Sequence, residues 1–132
     1  MTTIQARPTT YNGIQMRSRL EARYAAALDR MHLVWEYEPR AFASEDGQYL
    51  PDFCVIEGPK PGDITYIEVK PTLDLAGLRA VMAKMAIIHA SLPQVNLRIY
   101  SDAEGMIFDQ TPHHGEFWTV GFFSPTWEGA PR

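Results

Sequence analysis

Two short runs constrain this chain most: Tyr49-Leu50-Pro51-Asp52-Phe53 and Tyr66-Ile67-Glu68-Val69-Lys70. Glu68 and Lys70 are two positions apart, so on a strand they project from one face while Val69 projects from the other. Asp52 follows a proline, which suits a strand start or a turn. Neighbouring strands built from these runs hold an Asp, a Glu and a Lys together. Two adjacent carboxylates repel unless a cation lies between them, and hard oxygen donors favour magnesium or manganese. A lysine beside the pair is a cationic group aimed at the same point. The combination fits metal-assisted hydrolysis of a phosphodiester.

The surrounding pattern supplies the elements that carry these groups. Residues 1 to about 12 contain Thr, Pro and Asn without an apolar period and read as a mobile arm. Met16, Leu20, Tyr24, Ala27, Leu28 and Met31 recur at threes and fours, which predicts a helix from about Met16 to Met31. Val34 to Tyr37 reads as a strand ended by Pro39. Ala43 to Gln48 reads as a turn with Asp46-Gly47 at its tip. Tyr49 to Ile56 reads as a second strand, Glu57 to Asp63 as a loop, and Ile64 to Lys70 as a third strand stopped by Pro71. A second helix is expected from about Leu75 to Leu92 on the stripe Leu75, Leu78, Met82, Met85, His89 and Leu92, and Pro93 ends it. Val95 to Tyr100 alternates as a fourth strand, and Met106 to Phe108 and Phe117 to Phe123 are two further short strand candidates. Helix, three strands, helix, strand is the order of a mixed α/β sheet in which a meander is followed by a right-handed crossover.

A chain of 132 residues, 45% of them hydrophobic, fits one domain with an adequate core. No apolar run is long enough to span a bilayer, and the N-terminus lacks the charged-then-apolar pattern of a signal peptide. The one cysteine, Cys54, excludes an internal disulfide, reads as a small core residue and is compatible with a reducing cytoplasm. A net charge of −4 argues against coating nucleic acid by charge alone. That charge is uneven: before Glu21 the only charged side chains are Arg7, Arg17 and Arg19, so the N-terminal region is the phosphate-contacting face to expect.

Pro51-Asp52, then Glu68-Val69-Lys70 with the two acids sixteen residues apart (68 − 52), resembles the PD-(D/E)xK nuclease superfamily. The upstream Arg17-Ser18-Arg19-Leu20-Glu21 looks like the helical acid these nucleases place before their strands. The order Arg-Ser-x-x-Glu, Tyr37-Glu38-Pro39, Tyr-x-Pro-Asp-Phe and Glu-Val-Lys is similar to transposon-end nucleases of the TnsA type and to small phage endonucleases. The resemblance covers roughly residues 11 to 100. It implies a single nuclease domain with a restriction-endonuclease-like core over residues 13–100, followed by a β-rich, aromatic C-terminal extension over 101–132. It also implies a Mg2+- or Mn2+-dependent deoxyribonuclease in which Asp52, Glu68 and the Val69 carbonyl hold the metal. Glu21 is then a supporting or second-metal ligand.

Lys70 has two roles open to it: helping to activate or position the attacking water, or stabilising charge on the phosphorane-like transition state. Arg17, Arg19 and Arg23 are candidates for contacting DNA phosphates, and Arg17, four residues before Glu21, is also placed to pair with it. Lys84, off the apolar stripe of the second helix, is an auxiliary nucleic-acid-binding candidate on the same resemblance. Glu36 and Glu38 alternate on one strand face and are weaker site candidates. His89 reads as a hydrogen-bonded boundary residue, and His113-His114 lacks zinc-site spacing. Phe117, Trp118, Phe122, Phe123 and Trp127 read as packing against the sheet or covering an edge, with base stacking as the alternative. Ser18 reads as a local hydrogen-bonding residue at the helix start.

Three DNA substrates compete: transposon ends cut with a partner transposase or DNA-binding protein, branched phage DNA such as Holliday junctions, and restriction-type duplex sites. Homodimerisation would be one source of specificity. The alternative is a non-catalytic module that keeps the nuclease fold to bind nucleic acid or protein, and a third class is a structural phage protein in which metal serves only stability. No membrane association is expected, and a bacterial cytoplasm is the expected location.

Overall fold

The computed structural model describes residues 7–45, 47–112 and 118–122. The described residues up to Leu33 form one compact unit and those from Val34 another. Together they hold a mixed α/β arrangement: two α-helices and a six-stranded, mostly antiparallel sheet.

The first unit is a hairpin and a helix. Strands β1 (Thr9–Tyr11) and β2 (Ile14–Met16) pair antiparallel, joined by Asn12 and Gly13 at φ 53° and 81°. Two consecutive left-handed residues make the tight turn whose twist matches a hairpin, and Asn-Gly is the pair best able to adopt it. Thr9–Tyr11 therefore departs from the expected mobile arm. Met16, expected as the start of the first helix, is instead the last residue of β2. Helix α1 (Arg19–Arg30) begins later because the Ser18 hydroxyl accepts the Glu21 N–H at 3.1 Å, as expected of Ser18. At its other end His32 takes φ 58°. The His32 N–H reaches the Asp29 carbonyl at 2.9 Å and the Leu33 N–H reaches that of Leu28 at 3.1 Å, a Schellman closure with histidine where glycine is usual. The Tyr11 hydroxyl donates to Asp29 Oδ2 at 2.6 Å and ties the hairpin to the helix.

The second unit is built on strands β3 (Val34–Tyr37), β6 (Phe53–Ile56), β7 (Ile64–Lys70), β8 (Asn96–Ser101), β9 (Met106–Gln110) and β10 (Thr119–Phe122), in the order β10-β9-β8-β7-β6-β3. β3, β6 and β7 form an antiparallel meander. A short 3-10 turn (Pro61–Asp63) lies between β6 and β7. Helix α2 (Leu75–Ser91) then crosses over so that β8 runs parallel to β7. β9 and β10 return antiparallel. A separate hairpin, β4 (Phe42–Ser44) with β5 (Gly47–Tyr49), stands before β6; Asp46, expected at its tip, lies outside the described residues.

The expected second strand, Tyr49 to Ile56, is therefore two pieces: Tyr49 ends β5, Leu50 to Asp52 leave regular pairing, and β6 starts at Phe53. Pro51 is the physical reason, since a proline cannot donate to a ladder. One face of the sheet packs Cys54, Tyr66, Leu97, Ile99 and Phe108 against Val81, Met85 and Ile88 of α2, with Phe42 and Tyr49 from the hairpin closing the side. The Phe42 and Tyr66 rings meet edge-on at 5.3 Å, and the Arg40 guanidinium lies 4.4 Å from the Phe42 ring centre. The apolar stripe expected on α2 is corrected at its start: Leu75 is 63% exposed, and Val81 and Ile88 do the burying beside Met85. No helix among the described residues is long and apolar enough to cross a membrane.

This corrected face predicts a contrast. Met85→Ala empties space at a fully buried position and costs about 2–5 kcal/mol, whereas Leu75→Ala stays within about 0.5 kcal/mol of the parent. Urea unfolding of the two variants measures both, and equal costs would mean that the buried face is misassigned.

Candidate functional site

The β6–β7 ladder ends at the pair Phe53↔Ile67. Continuing that register brings Asp52 opposite Glu68 and Pro51 opposite Val69. Pro51 has no N–H, so regular pairing stops there. The Val69 N–H is instead taken by the Asp52 side chain, Oδ2 accepting at 2.8 Å. In a strand the N–H and C=O of one residue point to the same edge. The Val69 carbonyl is thus directed to the edge on which Asp52 lies, where Pro51 cannot supply it with a donor. Asp52 is held in turn by its own carbonyl, which accepts the Glu38 N–H at 2.7 Å, with Glu38 at φ 46°. Asp52 is 3% exposed.

Alternation along β7 puts Tyr66, Glu68 and Lys70 on the α2 side of the sheet. Tyr66 belongs to the core, and Glu68, one pleat further, is also buried. A carboxylate there needs partners. The Tyr49 hydroxyl donates to Glu68 Oε1 at 2.6 Å, and Lys70 Nζ lies 3.2 Å from Oε2. Burial first, then the Glu68 charge and hydrogen bond, then the Asp52 charge, push the Tyr49 phenol far above its ordinary range. Its hydroxyl therefore stays a proton donor, and both carboxylates act on it. The Lys70 side chain is 35% exposed against 10% for Glu68, so the group opens to solvent on the lysine side.

The strand end bearing Lys70 is clamped by the turn between β8 and β9. The Asp102 N–H donates to the Lys70 carbonyl and the Ala103 N–H to that of Pro71, both at 2.9 Å. Glu104 accepts from the Leu73 N–H at 2.8 Å, the Thr72 hydroxyl at 2.9 Å and the Ser101 hydroxyl. The Ser101 bond, then those of Leu73 and Thr72, hold the Glu104 carboxyl below its usual range. Asp74 caps α2 immediately afterwards, its Oδ1 accepting the Gly77 N–H at 2.7 Å.

The structure thus brings Asp52, Glu68, Val69 and Lys70 together. Two buried carboxylates and a strand-end carbonyl form a hard oxygen set of the kind Mg2+ or Mn2+ takes, completed by water. These donor types fit such an ion. Among the described residues, no group of three or more His, Cys, Asp or Glu side chains is arranged for a metal. Glu21, Arg19 and Arg23 lie on α1 of the other unit, and Arg17 just precedes its Ser18 cap. There Arg17 Nη2 is 3.7 Å from Glu21 Oε2, with Glu21 buried, Arg17 and Arg19 exposed and Arg23 half-buried. Lys84 is exposed on α2 and Glu36 is exposed on β3.

The sequence reading assigns no role to Tyr49 or Glu104. The signal for Tyr49 was its place three residues before Asp52 (52 − 49); Glu104 carried none, since its partners Thr72 and Leu73 are more than thirty residues away. Cys54 is buried, and burial followed by the charge of Glu36, against a backbone hydrogen bond at Glu36, pushes its thiol up to about 11. His89 Nε2 lies 3.0 Å from the Val95 carbonyl, a boundary histidine as expected. Trp118 packs on the core, but Phe122 is 85% exposed rather than packed. His113, His114, Phe117, Phe123 and Trp127 lie outside the described residues.

No protein-family model matches the sequence, and no curated protein does.

Asp52 both accepts the Val69 N–H and is a buried acid, so its variants separate. Asp52→Ala leaves the buried Val69 N–H without its acceptor and costs about 1–3 kcal/mol. Asp52→Asn keeps a carbonyl acceptor and regains most of that stability while still removing the charge. Equal urea midpoints for the two would mean that the bond to Val69 contributes nothing.

Proposed function

We propose that this chain is a metal-dependent endonuclease that hydrolyses DNA phosphodiester bonds on a restriction-endonuclease-like core. The observation that carries the proposal is the convergence of Asp52, Glu68 and Lys70 at one strand end, with the Val69 carbonyl directed to the same edge. That is the set which the resemblance to PD-(D/E)xK nucleases implies. Asp52, Glu68 and the Val69 carbonyl would hold the ion. When bound, Mg2+ or Mn2+ supplies Lewis-acid neutralisation at the scissile phosphate and activates the attacking water. Lys70, the most exposed of the group, meets the phosphate and stabilises the charge that develops on it. Displacement is in line, without a covalent enzyme intermediate. Exposed Arg17, just before α1, and Arg19 in its first turn are the phosphate contacts proposed for the first unit. Branched DNA or transposon ends from a phage or mobile element, in a bacterial cytoplasm, are the preferred setting. A homodimer, a transposase or another DNA-binding protein would supply specificity.

One observation favours a second reading, a binding module without catalysis. Both Glu68 oxygens already have protein partners, Tyr49 and Lys70, so the buried charge is satisfied with no ion present. A module of this kind would bind DNA without cutting it, and Mg2+ would not change its melting.

The test is cleavage of labelled duplex, single-stranded and four-way-junction DNA with Mg2+ or Mn2+, beside Glu68→Ala. Metal-dependent cutting that Glu68→Ala abolishes is the expected result. If Glu68→Ala and Asp52→Asn both cut like the parent, the assignment fails. Lys70→Met separates the roles further: cleavage drops about 10²–10³-fold, while Mg2+ binding to the DNA-free protein tightens because a competing cation beside Glu68 is gone. Weaker Mg2+ binding by Lys70→Met would contradict this role.

A further inference from the structure

We infer that Tyr49 is a positioning residue of this site: its hydroxyl fixes Glu68 Oε1, which leaves Oε2, the oxygen turned toward Lys70, as the one that would serve a bound ion. The inference rests on the metal-dependent reading above. The phenol is anchored at both ends. Tyr49 is 7% exposed, paired across the hairpin with Phe42 and packed in the core that includes Val81, Met85 and Ile88 of α2. Its hydroxyl lies 2.6 Å from Oε1, a short bond of the charge-assisted kind.

Without that bond Glu68 has three side-chain torsions and one tether, Lys70, which is itself flexible and part exposed. With it, the two carboxylate oxygens are distinguished, one committed to the core and one to the solvent side. The chain path supports the assignment. Three residues after Tyr49 (52 − 49), past Pro51, the same segment delivers Asp52 to Val69. One short stretch therefore orients one acid and supplies the other. Groups that hold a metal-binding carboxylate in place typically change metal affinity or activity about 10–100-fold when removed. Phenylalanine keeps the ring in its pocket and deletes only the donor.

The experiment compares parent, Tyr49→Phe and Ile88→Val. Ile88 is fully buried in the same core and touches neither acid's hydrogen bonds, so it serves as the stability control. Three quantities are read: Mn2+ binding by calorimetry, the Mg2+ concentration at half-maximal plasmid cleavage, and the melting temperature. Expected is a rise in half-saturating Mg2+ of about 10–100-fold for Tyr49→Phe, with cleavage recovering toward the parent's at saturating Mg2+. Ile88→Val lowers melting and leaves the Mg2+ dependence alone. A Tyr49→Phe protein that melts lower but keeps the parent's Mg2+ dependence overturns the inference and leaves the nuclease reading standing. A parent protein that neither binds Mn2+ nor cuts removes both.

Should Tyr49→Phe not fold, the parent decides by carboxyl-carbon and hydroxyl-proton resonances during a Mg2+ titration. Glu68 and Tyr49 signals that move together, with one midpoint, support the inference. A Glu68 signal that moves while the Tyr49 hydroxyl stays unchanged overturns it.

Discussion

The hydrogen bond from the Val69 N–H to the Asp52 carboxylate is the interaction on which the rest of the site depends. It sits where a ladder has been stopped. Pro51 withholds the donor that a continuing strand would offer, β6 begins one residue after Asp52, and β7 runs on for three residues past its last partner in β6 (70 − 67). Side chain replaces backbone at the first unpaired donor. The exchange keeps the edge closed enough to bury two acids while leaving a carbonyl directed into the gap. A residue other than proline at position 51 would let the ladder extend and turn that carbonyl into an ordinary sheet partner.

Electrostatics then decides which groups can lie next to that gap. Glu68 is tolerable in an apolar strand because a phenol from one side and an ammonium from the other meet its two oxygens. The two partners differ in kind. Tyr49 is held by the core, so its bond is fixed in place; Lys70 is part exposed, so its ion pair is the weaker and more exchangeable contact. The Asp102 and Ala103 N–H groups and the Glu104 carboxylate fix the backbone after β7.

The order of elements was legible from local pattern. β3 and β7 lie on the predicted residues, because a β-branched or aromatic run bounded by proline or a glycine-rich loop has few other conformations available. α2 was legible as a helix but not for its buried face. Apolar and alanine residues surround it, so periodicity alone does not rank Leu75 against Val81, and only packing on the sheet does so. The break at Leu50 to Asp52 was signalled by Pro51, yet the run around it is apolar enough to read as one strand. Strands as short as β1 carry too few residues for an alternation to register.

The site divides in the same way. Asp52, Glu68 and Lys70 were legible because strand parity and a proline are local facts. Tyr49 and Glu104 act through contacts made across the fold, nineteen residues from Tyr49 to Glu68 and thirty-one from Leu73 to Glu104. A buried acid must be satisfied whether or not an ion ever binds, so the Tyr49–Glu68–Lys70 network is required under the catalytic reading and the binding reading alike. What separates the two is the exchangeability of one contact. If a cation displaces the Lys70 ammonium from Oε2, the lysine is released toward a phosphate and the buried charge remains paired throughout. If Lys70 holds its place, the same residues are a closed structural pair. The exposure of Lys70 beside a buried Glu68 makes the first exchange physically accessible, since only the lysine side of the pair has to move through solvent.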